Sequence, residues 1–232
     1  MTYLNKSVII IDNSDLSYSG EDINGTLVRG TEASLILLSE QFVRMGINVD
    51  YCNSIQKKSK FNGVNYFNKN DIIKQKQYDL AIVISDANEF RRVSSLKKAV
   101  FSNSNQPIEK FIRKKQLLPF LKFKPTLITL CDYQYKKRSF FTSFYGKKTI
   151  PITVDPKFLD IEIDQNFLPE KKVVYNIRSN RNLNHLIKIW CDKIFPLNNE
   201  FKLYITPNLI DYKDFHKKNN ILLRTVGSRS EM

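Results

Sequence analysis

A chain of 232 residues, 42% of them hydrophobic, has enough apolar side chain for one sizeable core, or for one core and part of another, which excludes a disordered polymer. Its formal net charge of +14 and pI near 9.6 leave three kinds of anionic partner open: nucleic acid, an anionic membrane surface or a phosphorylated small molecule. The longest apolar runs, 8–11 and 80–84, fall far short of the roughly 20 residues that cross a bilayer, and residues 1–6 lead straight into a strand-like run, so a cytoplasmic protein is expected.

In chain order, residues 7–12 (SVIIID) form a continuous apolar run of strand length, suited to burial on both faces of a parallel sheet. A polar, glycine-containing loop follows. Residues 31–45 then place Leu35, Leu38, Phe42 and Met45 at helical spacing, with Gly46 as the stop signal. Strands are predicted at 48–52, 78–85, 98–102, 126–131 and 148–152, and a basic amphipathic helix at 108–117. Strands alternating with helices of this length imply crossover units and a doubly wound, Rossmann-like parallel sheet.

Residues 155–171, with Pro156, Pro169 and several acidic side chains, read as a linker. A fresh strand starts at 172–177, a helix at 183–194, and further strands at 201–206 and 221–226. The expected fold class is therefore α/β, with a Rossmann-like domain over 1–165 and part of a second over 166–232. Ser228-Arg229-Ser230-Glu231 has the form of a capping box that opens a helix, or of a frayed tail that matches it by chance. Read as a cap, it leads to the expectation that the chain is a fragment.

Cys52, Cys131 and Cys191 are widely spaced and lack partners at metal-ligand spacing, so mostly buried, reduced thiols and no metal site are expected. Basic clusters at 57–60, 113–115, 136–138 and 147–148 are scattered among aromatics and each reads first as a solvated face. Lys, Asn and Ile are abundant throughout, as an AT-rich genome alone would produce.

Arg29-Gly30-Thr31-Glu32-Ala33-Ser34, leading into 35–49, resembles the opening of GT-B glycosyltransferases of family 4, where a glycine-bearing loop starts a helix that ends before a strand. Residues 101–106 (FSNSNQ) fall where that family carries an acceptor-side strand end. Residues 150–158 (IPITVDPKF) are similar to its hinge entry, and 175–183 (YNIRSNRNL) to the turn that opens its nucleotide-sugar domain. The resemblance implies a complete acceptor-side domain and a partial donor domain. It also implies hexose transfer from a nucleotide sugar to an envelope polysaccharide or glycolipid acceptor. The donor is then a substrate, and no cofactor is needed. The implied partners are a nucleotide sugar and a glycan or lipid-linked acceptor, with peripheral contact at the inner face of an anionic membrane and no nucleic acid.

On this resemblance Arg29, Gly30, Thr31, Asn103 and Asn105 are candidate substrate-binding residues, and Arg178 and Arg181 candidate donor-diphosphate ligands. The physical chemistry agrees. A helix N-terminus bearing glycine admits an anion or a sugar close to its backbone, although Gly30 reads equally as a loop glycine beside a cap. Guanidiniums at the end of a parallel strand lie where doubly wound domains bind ligands, and two of them would offset the charge of a leaving diphosphate. No catalytic residue is assigned: His185 falls within a predicted helix, His216 in a polar loop, and the paired-glutamate donor motif of the family would fall beyond Met232.

Other classes fare worse. The spacing G-x-G-x-x-G is absent after the first strand, and so is the phosphate loop G-x-x-x-x-G-K-[ST]. The alternative from another class is a non-enzymatic nucleic-acid-binding or scaffold protein, carried by the net charge and by 133–145 (YQYKKRSFFTSFY). That stretch reads first as a helix with its aromatics turned inward and its basic residues outside, because no nucleic-acid-binding motif accompanies it.

Overall fold

The computed structural model describes residues 5–24, 28, 30–72, 75–103, 108–136, 146–151, 170–175, 182–205 and 221–223. The chain divides into two compact units, Met1–Leu159 and Asp160–Met232.

The first unit is built on an eight-stranded sheet. Its elements are β1 (Ser7–Ile11), α1 (Gly30–Arg44), β2 (Asn48–Asn53), β3 (Ser59–Phe61), β4 (Val64–Asn68), β5 (Gln77–Ile84), β6 (Ser94–Ser102), α2 (Ile108–Arg113), α3 (Leu117–Phe123), β7 (Thr126–Thr129), α4 (Asp132–Lys136) and β8 (Lys147–Thr149). The strand order is β3-β4-β2-β1-β5-β6-β7-β8, and every pair is parallel except β3 with β4. The alternation of side chains along β1 separates two cores. Val8 and Ile10 join Leu35, Ile36, Val49, Tyr51 and Ile82 beneath α1, whereas Ile9 and Ile11 join Ala81, Val83, Phe111, Phe120 and Leu127 on the other face. Both faces of the central strands are thus buried, which is why SVIII is apolar without interruption.

Three features depart from the expectations. A hairpin, β3–β4, lies in the stretch between the predicted strands 48–52 and 78–85, for which no element was predicted. Its turn is Asn62-Gly63, both at positive φ (+46° and +83°), the conformation that a two-residue hairpin turn requires. At Gly63 a Cβ would lie 2.5 Å from Val43 Cγ1 of α1. Gly63→Ala is therefore expected to destabilise the unit by about 1–3 kcal/mol, read as a lower urea midpoint, and a change below about 0.5 kcal/mol would contradict this packing.

The helix predicted at 108–117 is instead two short helices with a turn between them. Lys115 turns the chain at φ +52°, and buried Gln116 fastens the turn to the segment after β5, donating from Nε2 to Ser85 O (3.0 Å) and accepting from Ala87 N–H (3.3 Å). Pro119 sits in the first turn of α3, where its missing N–H costs nothing. Phe111 and Phe120 then clasp α2 and α3 edge to face, with ring centroids 4.7 Å apart.

The cysteines also differ from expectation. Cys52 is buried and Cys191 half-buried, but Cys131 is exposed. Burial pushes the Cys52 thiol far above its usual range, so it is inert. In the basic-aromatic stretch, α4 begins a helix, yet Tyr133 is exposed and not turned inward; residues 137–145 lie outside the described residues.

The second unit contains β9 (Lys172–Tyr175), α5 (Leu183–Ile189), β10 (Lys202–Ile205) and β11 (Ile221–Leu223). Its sheet runs β11-β10-β9, all parallel. The predicted helix 183–194 forms in full, its last turn widening to a π-helical one that Phe195 N–H closes on Trp190 O (2.9 Å). Trp190, fully buried, centres a core with Tyr175, Leu183, Ile187, Leu203 and Ile205. The capping sequence 228–231 and residues 155–169 of the linker 155–171 lie outside the described residues.

Candidate functional site

In the first sheet, chain order runs outward in one direction from β1 through β2 to β4, and in the other from β5 through β6 and β7 to β8. The carboxyl ends of β1 and β5 are thus the point where the winding reverses, the place at which open parallel sheets leave a crevice for ligands.

Polar groups collect at this edge. Buried Asp12, immediately after β1, accepts at Oδ1 from the Ser14 N–H (2.9 Å) and at Oδ2 from the Ser14 hydroxyl (2.9 Å) and the Tyr18 hydroxyl (2.6 Å). The Tyr18 oxygen lies 2.7 Å from that of Tyr51 on β2. Because the single Tyr18 proton goes to Asp12, Tyr51 donates to Tyr18. Burial, with Tyr51 and Asp12 adding to it, pushes the Tyr18 phenol far up, and burial does the same for Tyr51, so both remain protonated donors. Asn53 closes the web by donating to Tyr18 O (2.8 Å). With both carboxylate oxygens engaged, Asp12 organises the loop after β1.

Helix α1 starts above this web. Gly30 is its first residue; it is exposed, and a Cβ built there would meet nothing within 4 Å. Among the described residues, therefore, no packing contact requires glycine here, and none fills the space above the first turn. Thr31, next in the helix, accepts at Oγ1 from Asn103 Nδ2 at 3.0 Å. Asn103 directly follows β6, so the bond ties the helix that comes after β1 to the far side of the crevice. Glu32 is buried in the same turn, and among the described residues its Oε2 has no hydrogen-bond partner.

Of the residues singled out from the sequence, Gly30, Thr31 and Asn103 thus share one edge, and two of them touch. Arg29 and Asn105 lie outside the described residues. So do Arg178 and Arg181, which belong to the segment between β9 and α5. Sequence reasoning missed Asp12 and Glu32. The signal for Asp12 was present, because an aspartate two residues before a serine at the end of an apolar strand favours a side-chain turn. For Glu32 no local signal distinguishes a buried first-turn carboxylate from an exposed one.

The topology and this edge define a doubly wound α/β protein of Rossmann-like fold. Among solved structures, the chain is similar to one described as the glycotransferase of kitacinnamycin, at 9% sequence identity and a TM-score of 0.53, over 95% of this chain and 71% of that one. At that identity the likeness concerns the fold. No protein-family model matches the sequence, and no curated protein matches it.

Proposed function

We propose that the chain is a glycosyltransferase of the GT-B type, similar to family 4, moving a hexose from a nucleotide sugar to a hydroxyl of a glycan or lipid-linked acceptor. In this reading the acceptor side is the edge that holds Gly30, Thr31 and Asn103, with Arg29 and Asn105 as further candidate contacts, and the donor diphosphate is held by Arg178 and Arg181. The observation that carries it is the Thr31–Asn103 hydrogen bond at the reversal point of the sheet. It joins residues singled out separately as substrate contacts, in a fold shared with a protein described as a glycotransferase. The chemistry is displacement at the anomeric carbon: the acceptor hydroxyl oxygen forms the new bond and gives up its proton to solvent, and the bond to the diphosphate breaks. The electron pair then resides on the diphosphate, where two guanidiniums offset it. The nucleotide sugar is consumed as substrate.

The test titrates a nucleoside diphosphate into the protein and its variants. Arg178→Ala or Arg181→Ala removes a charge-assisted contact worth about 1.5–3 kcal/mol, or about one to two decades in affinity. Lysine at either position restores the charge but not the two-pronged geometry, so it should recover only part. Unaltered affinity in both alanine variants, at unchanged melting temperature, would remove these arginines from the donor site.

A further inference from the structure

The inner strands of the eight-stranded sheet are not apolar along their whole length. β6 lies between β5 and β7, where a parallel strand is expected to be apolar on both faces, yet it opens Ser94-Ser95-Leu96-Lys97-Lys98 before its buried half begins at Ala99. The register shows what these lysines join. Leu80 of β5 pairs with Lys97, Ala99 with Thr126 of β7, and Ile128 with Lys148 of β8, so these six side chains share one face. It is the face that α1 covers over β2 and β4, whereas α2 and α3 send Phe111 and Phe120 into the core of the other. A helix packed over the start of β6 would bury the Lys97 ammonium at high cost, so the lysines mark a part of the face left open.

That part of the face is a groove of about 500 Å³, the size of a small-molecule site. Leu80, Ala99 and Ile128 form its floor. Leu96, 67% exposed, and Phe123, held edge to face on Phe90 at 5.8 Å, give it an apolar rim. Lys97, Lys98, Lys124 and Lys148 surround it, and among the described residues no acidic side chain lines it. Lys98 donates to Ser95 O (2.7 Å), while among the described residues Lys97, Lys124 and Lys148 form no salt bridge. Clustered ammoniums repel one another, and an exposed leucine beside a phenyl ring costs free energy in water. One kind of ligand relieves both penalties: a flat ring carrying several phosphates, which meet the ammoniums while the ring lies on the apolar surface. The groove sits toward the amino ends of β5 and β6, whereas the crevice beside α1 lies at the carboxyl ends, so the two are separate.

We propose that this groove is a ligand site in its own right, taking a soluble ring-bearing polyphosphate of the nucleoside polyphosphate class. The inference stands on the first unit alone and is independent of the glycosyl-transfer reading.

Calorimetric titration of ATP and GTP into the full chain carrying both Arg178→Ala and Arg181→Ala tests it, because that background removes the proposed donor contacts. Saturable binding of at least one of them is expected, with inorganic tripolyphosphate about tenfold weaker or more and adenosine alone not bound. Lys97→Gln with Lys148→Gln, added to that background, should weaken nucleotide binding about tenfold or more, and arginine at both positions should retain it. Both lysines are exposed, so melting temperatures should not move. No saturable binding of either nucleotide, or unchanged affinity in the glutamine variant, would overturn the proposal. Tripolyphosphate binding as tightly as the nucleotides would also overturn it, leaving only attraction of charge. So would displacement of the nucleotide by equimolar single-stranded oligonucleotide, which would assign the groove to nucleic acid.

Discussion

Replacing Asp12 by alanine is expected to lower the stability of the first unit by about 2–4 kcal/mol, because three buried or half-buried donors lose their acceptor at once. These are the Ser14 amide, the Ser14 hydroxyl and the Tyr18 hydroxyl. Asp12→Asn should be much milder. The asparagine oxygen can still accept from the Ser14 amide, and its NH2 can donate to Tyr18, whose proton then turns to Tyr51. Chemical denaturation followed by far-UV circular dichroism measures both. An alanine variant within about 0.5 kcal/mol of the native protein would mean that the web after β1 is not a structural brace. The web also fixes where the loop leaves β1, so Asp12→Ala should weaken ligand binding at the α1 edge even where the protein remains folded.

Trp190→Ala is expected to have the larger effect, about 3–5 kcal/mol, since a fully buried indole leaves a cavity that its surroundings fill only in part. Among the described residues the second-unit core has six buried side chains over a three-stranded sheet, and Trp190 is the largest of them. The variant should be cut within 160–232 at protease concentrations that spare the native chain, while peptides from the first unit persist. A cleavage pattern identical to that of the native chain would show that Trp190 does not hold this core. As Trp190 is the single tryptophan, its emission in the native protein reports on this unit alone.

The elements legible in the sequence were those whose pattern records their burial. β1 is apolar throughout because both of its faces are covered, and α1 shows Leu35, Leu38 and Phe42 on one side because one side packs on the sheet. The β3–β4 hairpin was passed over. Its strands carry Lys60, Asn65 and Asn68 at the edge of the sheet, so alternation is weak, although Asn62-Gly63 was a readable turn signal. The break between α2 and α3 is set by the bonds from Gln116 to Ser85 and Ala87, some thirty residues away, and no local pattern contains that.

The candidate site divides in the same way. Gly30 and Thr31 were recognisable as a helix start, and Asn103 as a strand end. Their meeting required the strand order, because Thr31 and Asn103 are 72 residues apart in sequence.

The proposed glycosyl transfer requires that this fold bind a nucleotide sugar. Its most direct test is equilibrium binding of a panel of UDP and GDP sugars, beside a single-stranded oligonucleotide, across a salt series. Saturable binding of at least one nucleotide sugar with shallow salt dependence is expected, lost in the Arg178→Ala and Arg181→Ala variants. Steeply salt-dependent binding of the oligonucleotide, with no nucleotide sugar bound at any ionic strength, would contradict it and favour the nucleic-acid alternative.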